Sequence, residues 1–265
     1  MKAIKIENSK PVGEAVILHK AQATYRLNKY ISDSGYASRR EADRMIMAGR
    51  VTLNGDIAVV GQQVEKDMIV QVDGHTITHT VQKVYIALHK PVGITCTTDL
   101  AIEGNLVDYM DYGSMIFPIG RLDKDSSGLL LLTNDGDVVN KILREEYGHD
   151  KEYEVKVDRP INDNFIHQLE QGVSIYNPVA HQTQVTQKCT VIQTAAFKYR
   201  IILRQGLNRQ IRRMAKALGY NVVGLKRLRI MNVELGHLPL GHWRYLTQDE
   251  LVEMNRQIES ALPSQ

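Results

Sequence analysis

"PIGRLDKDSSGLLLLTNDG", from Pro118 to Gly136, sets a continuous apolar run directly behind a loop crowded with charge. The leucines end at an Asn-Asp-Gly turn, the pattern of a strand buried on both faces. The preceding "SMIFPIG" carries Pro118 and Gly120 and reads as a strand and turn. Asp123 therefore stands at the edge of a core strand, a rigid support that suits a nucleophile or base. An aspartate that only hydrogen-bonds turn amides explains the same residues equally well at this point.

The loop also imitates a cation site, because Asp123, Asp125 and Ser127 alternate ahead of Gly128. A calcium loop beginning at Asp123 would need a bidentate Glu where the chain has Asn134, and it would need an entering helix where the chain has a strand and turn. The metal reading fails on both counts. His75 and His79 have metal-ligand spacing only on a helix, and the threonines around them favour an extended connector.

Working outward, 265 residues with 43% apolar content can fill one large domain or a large and a small one. Cys96 and Cys189 match neither a disulfide framework nor a zinc spacing, so a reduced, cytoplasmic setting is expected. The longest leucine run is far below the roughly 20 residues a membrane-spanning helix needs. Residues 1–24 lack signal-peptide and transit patterns and read as a flexible extension. No heptad seam appears, so a monomer is expected.

The net charge of +3 hides a strong asymmetry. Ten basic residues and no Asp or Glu lie between Lys198 and Arg229. A focused positive segment suits a polyanion, although an ordinary solvated face explains charge alone as well. Within it, Asn208 is positioned to cap a helix whose Ile211, Met214, Ala215 and Leu218 form a buried stripe, stopped by Gly219. Arg209, Arg212, Arg213 and Lys216 run beside that stripe, where a guanidinium can reach a buried carboxylate or line a phosphate channel.

Residues 25–75 read as a small module of two helices and a hairpin. Leu27, Tyr30 and Ile31 mark the first helix, Ser38 and Glu41 form a capping box opening the second, and Asn54-Gly55 makes the hairpin turn. A connector at 76–83 leads to a larger region, 84–255, and a tail, 256–265. In that region "KEYEVKVD", "FKYRIILRQG" and "VVGLKRLRIMNVEL" alternate as strands, and "INDNFIHQLEQG" is a helix between Asn162 and Gly172. No GxGxxG or GxxxxGK[ST] fingerprint supports a nucleotide cofactor.

"RLNKYISDSGYASRREADRMIMAGRVTLNG" resembles the S4 RNA-binding domain. The candidate RNA contacts are Arg26, Lys29, Arg39, Arg40 and Arg44. "FPIGRLDKDSSGLLLLTNDGD", with "LHKPVG", "KEYEV" and "RQGLNRQIRRM" in order, resembles the pseudouridine synthases, in the branch with an N-terminal S4 domain that acts on ribosomal RNA. The resemblance implies an α+β fold, an S4-like domain followed by a catalytic domain with a central, mainly antiparallel sheet flanked by helices. It implies that Asp123 is the catalytic aspartate, Arg121 helps displace the target nucleotide, Tyr153 stacks on the extruded uracil, and Arg212 pairs with Asp123 and keeps it ionised. Arg209 and Arg213 are further substrate-binding candidates. Large-subunit rRNA is the implied partner, with tRNA as an open alternative, and neither a cofactor nor a metal is implied.

Overall fold

A computed structural model describes residues 2–7, 9–12, 24–65, 67–78, 82–143 and 148–261. The first strand, β1 (Ile4–Lys5), pairs with a strand from the far end of the chain. The small module then runs through β2 (Thr24–Arg26), α1 (Leu27–Asp33), α2 (Arg39–Met47), β3 (Val51–Leu53), β4 (Asp56–Ile57), β5 (Gln63–Glu65), β6 (Val70–Val72) and β7 (His75–Ile77). The Ser38 hydroxyl accepts from the Glu41 amide at 3.3 Å, as the capping box predicts. Asn54 and Gly55 take φ of 53° and 93°, the left-handed pair that a two-residue hairpin turn requires. Leu27, Ile31, Ala42, Ile46, Val51 and Val70 close a core of their own.

The larger region contains β8 (Tyr85–Lys90), α3 (Leu106–Met110), β9 (Phe117–Ile119), β10 (Ser127–Thr133), α4 (Gly136–Leu143), β11 (Lys151–Val157) and α5 (Asp163–Gln171). A hairpin of β12 (Ser174–Asn177) and β13 (Gln182–Val185) follows, then β14 (Thr190–Ala195), β15 (Lys198–Leu203) and α6 (Gln210–Ala217). The chain finishes with β16 (Val222–Ile230), β17 (Val233–Glu234), β18 (His242–Tyr245) and α7 (Gln248–Ala261). Among the described residues ten strands form one sheet, ordered β1-β18-β8-β10-β16-β11-β15-β14, with β9 beside β10 and β17 beside β16.

The sheet is antiparallel except where β1 meets β18 and where β10 meets β16. The second exception is a short seam, Ser127 against Lys226 and Gly128 against Arg227, which joins two half-sheets. In the first half, alternation sends Ala87, Leu129 and Leu131 to a core under α4 and α7, and Ile86, Leu88, Leu130 and Leu132 to another with α3. The leucine strand is thus buried on both faces. In the second half β11, β14 and β15 pack on α5 and α6. The seam requires a glycine: Gly128 has φ +112°, and an added Cβ would collide with the amide nitrogen and carbonyl oxygen of Arg227.

Four expectations are corrected. Residues 2–7 and 9–12 are not a loose extension: β1 adds an edge strand, Ser9 Oγ accepts from the Tyr245 amide at 2.7 Å, and Val12 packs on the core. Residues 13–23 lie outside the described residues. The module's sheet continues through Ile77, so the connector is shorter than 76–83, and residues 79–81 are outside the description. The tail expected from 256 is helical to Ala261 because Ile258 is drawn into the core; residues 262–265 lie outside the description. "VVGLKRLRIMNVEL" is two strands, broken where Met231 turns at φ 53°. Cys96 is buried and Cys189 half-buried, both as free thiols. No helix among the described residues is long and apolar enough to cross a membrane.

Candidate active site

The loop that follows β9 crosses the end of the seam before entering β10. Its shape is set by backbone bonds: Ser126 N–H donates to Asp123 O at 3.0 Å, and Gly93 N–H donates to Lys124 O at 2.7 Å. Leu122 is buried, and its amide donates to Cys96 Sγ at 3.5 Å. Beneath the Pro91–Gly93 turn, Lys90 is fully buried and donates to the carbonyls of Pro91 and Ile94 at 2.8 and 2.9 Å. Burial pushes its pKa down, while the charges of Asp123 and Asp125 act in the opposite direction.

A cleft of about 480 Å³ opens here, within the size range of ligand sites. Arg121, Asp123 and Ser126 reach it from the loop, Lys151 and Tyr153 from β11, Gln205, Asn208 and Arg209 from the segment before α6, and Arg227 from β16. Ile119, Leu203, Leu225 and Ile230 supply apolar walls. Tyr153 is half-buried and packs against both the α3-side core and the α5/α6 core. A register shift between Glu152 and Tyr153 places it beside Arg227, the kind of irregularity that re-aims a side chain near a site.

Asp123 meets a different arginine from the expected one. Arg209 Nη1 stands 3.5 Å from Asp123 Oδ2, and the same guanidinium grips Asp125 with bonds of 3.0 and 2.9 Å. The hydrogen bonds from Arg209 hold the Asp125 carboxyl below its ordinary range, and the charge of Arg212 adds to this. Arg212 itself turns toward the backbone. It donates to Val222 O at 3.1 Å, Asp125 O at 2.9 Å and Ser126 Oγ at 3.1 Å, and lies 3.5 Å from Asp125 Oδ2. The physical reason is the start of α6. Arg209 sits outside the helix in a left-handed conformation, φ 50°, and is free to reach across the loop, whereas Arg212 is one turn inside.

Asn208 does not cap α6. Its Oδ1 accepts from Arg213 Nη2 at 2.9 Å, while Gln210 Oε1 satisfies the Leu207 amide at 3.1 Å. Arg213 also donates to Tyr176 O, so it anchors the β12–β13 hairpin and does not line the cleft.

The basic residues of the small module divide as well. Arg26, Lys29 and Arg39 line a separate polar cavity of about 580 Å³, together with Asp137 of α4. Lys29 pairs with Asp33 and, at 3.0 Å, with Asp137, and Arg39 lies 3.8 Å from Asp137. Two of the expected RNA contacts therefore join the module to the larger domain. Arg40 is exposed, and Arg44 is exposed and paired with Glu41. Arg227 was not a sequence candidate, because an arginine in an alternating strand is ordinarily assigned to solvent; its only signal was sharing a face with Leu225.

Similarity to known proteins agrees with this geometry. The sequence profile of the RNA pseudouridylate synthase family matches residues 84–217, and that of the S4 domain matches residues 26–70. The chain is 52% identical over 241 residues to the dual-specificity RNA pseudouridine synthase RluF of Shigella flexneri, covering 90% of this chain and 81% of the relative. It is 32% identical over 252 residues to the ribosomal large subunit pseudouridine synthase B of Vibrio cholerae, covering 89% and 78%. A crystal structure of a pseudouridylate synthase superposes with a TM-score of 0.62 at 28% identity, covering 86% of this chain and 99% of that one. With profile, relatives and fold in agreement, the chain belongs to the RNA pseudouridylate synthase family and is a pseudouridine synthase.

Proposed function

We propose that this enzyme isomerises a uridine of large-subunit ribosomal RNA to pseudouridine, with Asp123 as its catalytic carboxylate, and that a tRNA is a second substrate. The observation that carries the reading is the convergence on one cleft of Asp123 and Arg121, from the loop after β9, with Tyr153, from β11. The names of the two relatives, one dual-specific and one a large-subunit enzyme, support the choice of RNA.

In the proposed reaction the bond from uracil N1 to ribose breaks, the base rotates, and C5 joins the sugar while its proton leaves and N1 gains one. The change is internal to one nucleotide, so no cofactor is called for. N1 is inaccessible in a stacked helix, so the nucleotide must leave the stack. Arg121, exposed at the rim, suits the vacated position, and the Tyr153 ring offers a face that offsets the stacking lost. Asp123 is the group that attacks or abstracts. Arg209, not Arg212, is the cation beside it, and Arg212 holds the loop. Arg40 and Arg44, on the exposed side of α2, are the S4-module residues best placed for RNA backbone. A monomer working in the cytoplasm completes the proposal.

Tritium release from ribosomal RNA labelled at uridine C5 tests it. Release by the native enzyme and none by Asp123→Asn is expected; equal release by both removes Asp123 from its role. Tyr153→Phe should retain more activity than Tyr153→Ala by about tenfold or more, the worth of one base stacked on a ring.

A further inference from the structure

Arg227 lies beneath the proposed site and is 3% exposed. Its Nε donates to Leu129 O at 2.7 Å, and its Nη1 donates to Arg121 O at 3.3 Å. Its Nη2 is buried and has no hydrogen-bond partner, and no carboxylate among the described residues pairs with it. Burying a guanidinium on carbonyls alone is unfavourable in general, because the charge leaves water without gaining an opposite one. A hydrocarbon of similar length would fill the same space without that cost, so packing does not account for an arginine here.

What the guanidinium does that a hydrocarbon cannot is join two pieces of backbone. Leu129 belongs to β10, on one side of the seam; Arg121 is two residues before Asp123; and Arg227 itself is on β16, on the other side. Its backbone lies so close to Gly128 that no side chain fits between them. The planar fork thus spans the seam and fixes the start of the aspartate loop from below. Lys90, the other buried cation under this loop, is within electrostatic reach of Arg227, Asp123 and Asp125 alike.

We propose that Arg227 is a positioning residue for the isomerisation, acting through the Arg121 carbonyl to hold the Arg121–Asp123 loop in the geometry the reaction needs. The inference rests on the reading of Asp123 as the catalytic carboxylate. Reactions of this kind are sensitive to sub-ångström placement, and loosening the loop should cost about 100-fold in rate.

The test compares Arg227→Met, Arg227→Lys and Asp123→Asn, measuring single-turnover tritium release at saturating ribosomal RNA, RNA affinity by filter binding, and thermal melting. Arg227→Met is expected to melt at or above the native temperature, bind RNA within about threefold of native, and react about 100-fold more slowly. A purely structural role predicts the reverse: a lowered melting temperature and a native rate for the molecules that remain folded. Arg227→Lys keeps the charge but cannot span both carbonyls, so it too should be slow. A native rate in either folded variant overturns the proposal, including when Arg227→Met does not fold and only the lysine variant can be assayed. Combining Arg227→Met with Arg121→Ala should cost less than the product of the two separate losses, because both act on one loop; full multiplicativity counts against it. If Asp123→Asn is active, the underlying site assignment has failed; if it is inactive while Arg227→Met is fast, only this inference has.

Discussion

Arg209 bridges two aspartates, holding Asp125 through bonds of 3.0 and 2.9 Å while its Nη1 stands 3.5 Å from Asp123 Oδ2. The firm pair is with the neighbour, and the looser contact is with the proposed reactive group. Asp125 thereby keeps a cation beside Asp123 without a direct bond blocking its oxygen. Arg209→Ala is expected to slow single-turnover tritium release about 100-fold. Asp125→Ala should slow it by less, because Arg212 still bonds the carbonyl of residue 125. Arg209→Ala within twofold of the native rate sets this arrangement aside.

Gly128 carries a different burden. Its φ of +112° and the absence of room beside Arg227 make any side chain doubly unfavourable. Gly128→Ala is expected to lose about 3 kcal/mol or more of unfolding free energy, combining left-handed strain with overpacking against backbone. Urea denaturation measures it. A shift of under about 1 kcal/mol would mean that the β10–β16 seam yields easily.

Lys29 and Asp137 link the small module to the sheet domain at 3.0 Å, with the lysine largely shielded from solvent. A double-mutant cycle of Lys29→Met and Asp137→Asn, read by urea unfolding, should give a coupling on the order of 1 kcal/mol. Small-angle scattering should also show a larger radius of gyration for Asp137→Asn. Zero coupling with unchanged scattering excludes the pair as a domain anchor.

Acid should weaken the fold through His89 and His149. Burial lowers the pKa of both below the ordinary 6.5, against opposing bonds to the carbonyls of Leu238 and Lys141. The folded form then binds fewer protons than the unfolded chain as pH falls below 6.5, so this contribution is present above 6.5 and is lost on acidification. Melting temperature should fall between about pH 7 and pH 5.5, and replacing both histidines with asparagine should flatten that dependence. An equally steep fall in the double variant assigns the effect elsewhere.

Much of the site was legible because it is written in contiguous residues. A glycine-turn loop, an aspartate and a run of four leucines stand next to one another, and the continuous apolar run by itself places Asp123 at the head of a core strand, while its role came only with the family resemblance. The S4-like module was legible for the same reason, since Ser38-x-x-Glu41 and Asn54-Gly55 are local devices that do not depend on distant contacts. Ile4 and Lys5 illustrate the opposite case: β1 is held by pairing with β18, more than 230 residues away, and nothing local announces it.

The sequence by itself determined which elements exist and which carboxylate stands at the head of the core strand, because apolar period, caps and turn residues act over a few positions. Tertiary structure alone decided the partners. Arg209 and Arg212 are indistinguishable as charges on one basic stretch, and only the left-handed entry into α6 sends the first to the aspartates and the second to the loop backbone. Lys29, legible as an RNA contact, is turned inward by Asp137, and Arg227, which the sequence showed only as one charge of a basic segment, lies beneath the loop. Charge pairing depends on distances between segments far apart in the chain, and around Asp123 those distances come into being only when the two half-sheets meet at Gly128.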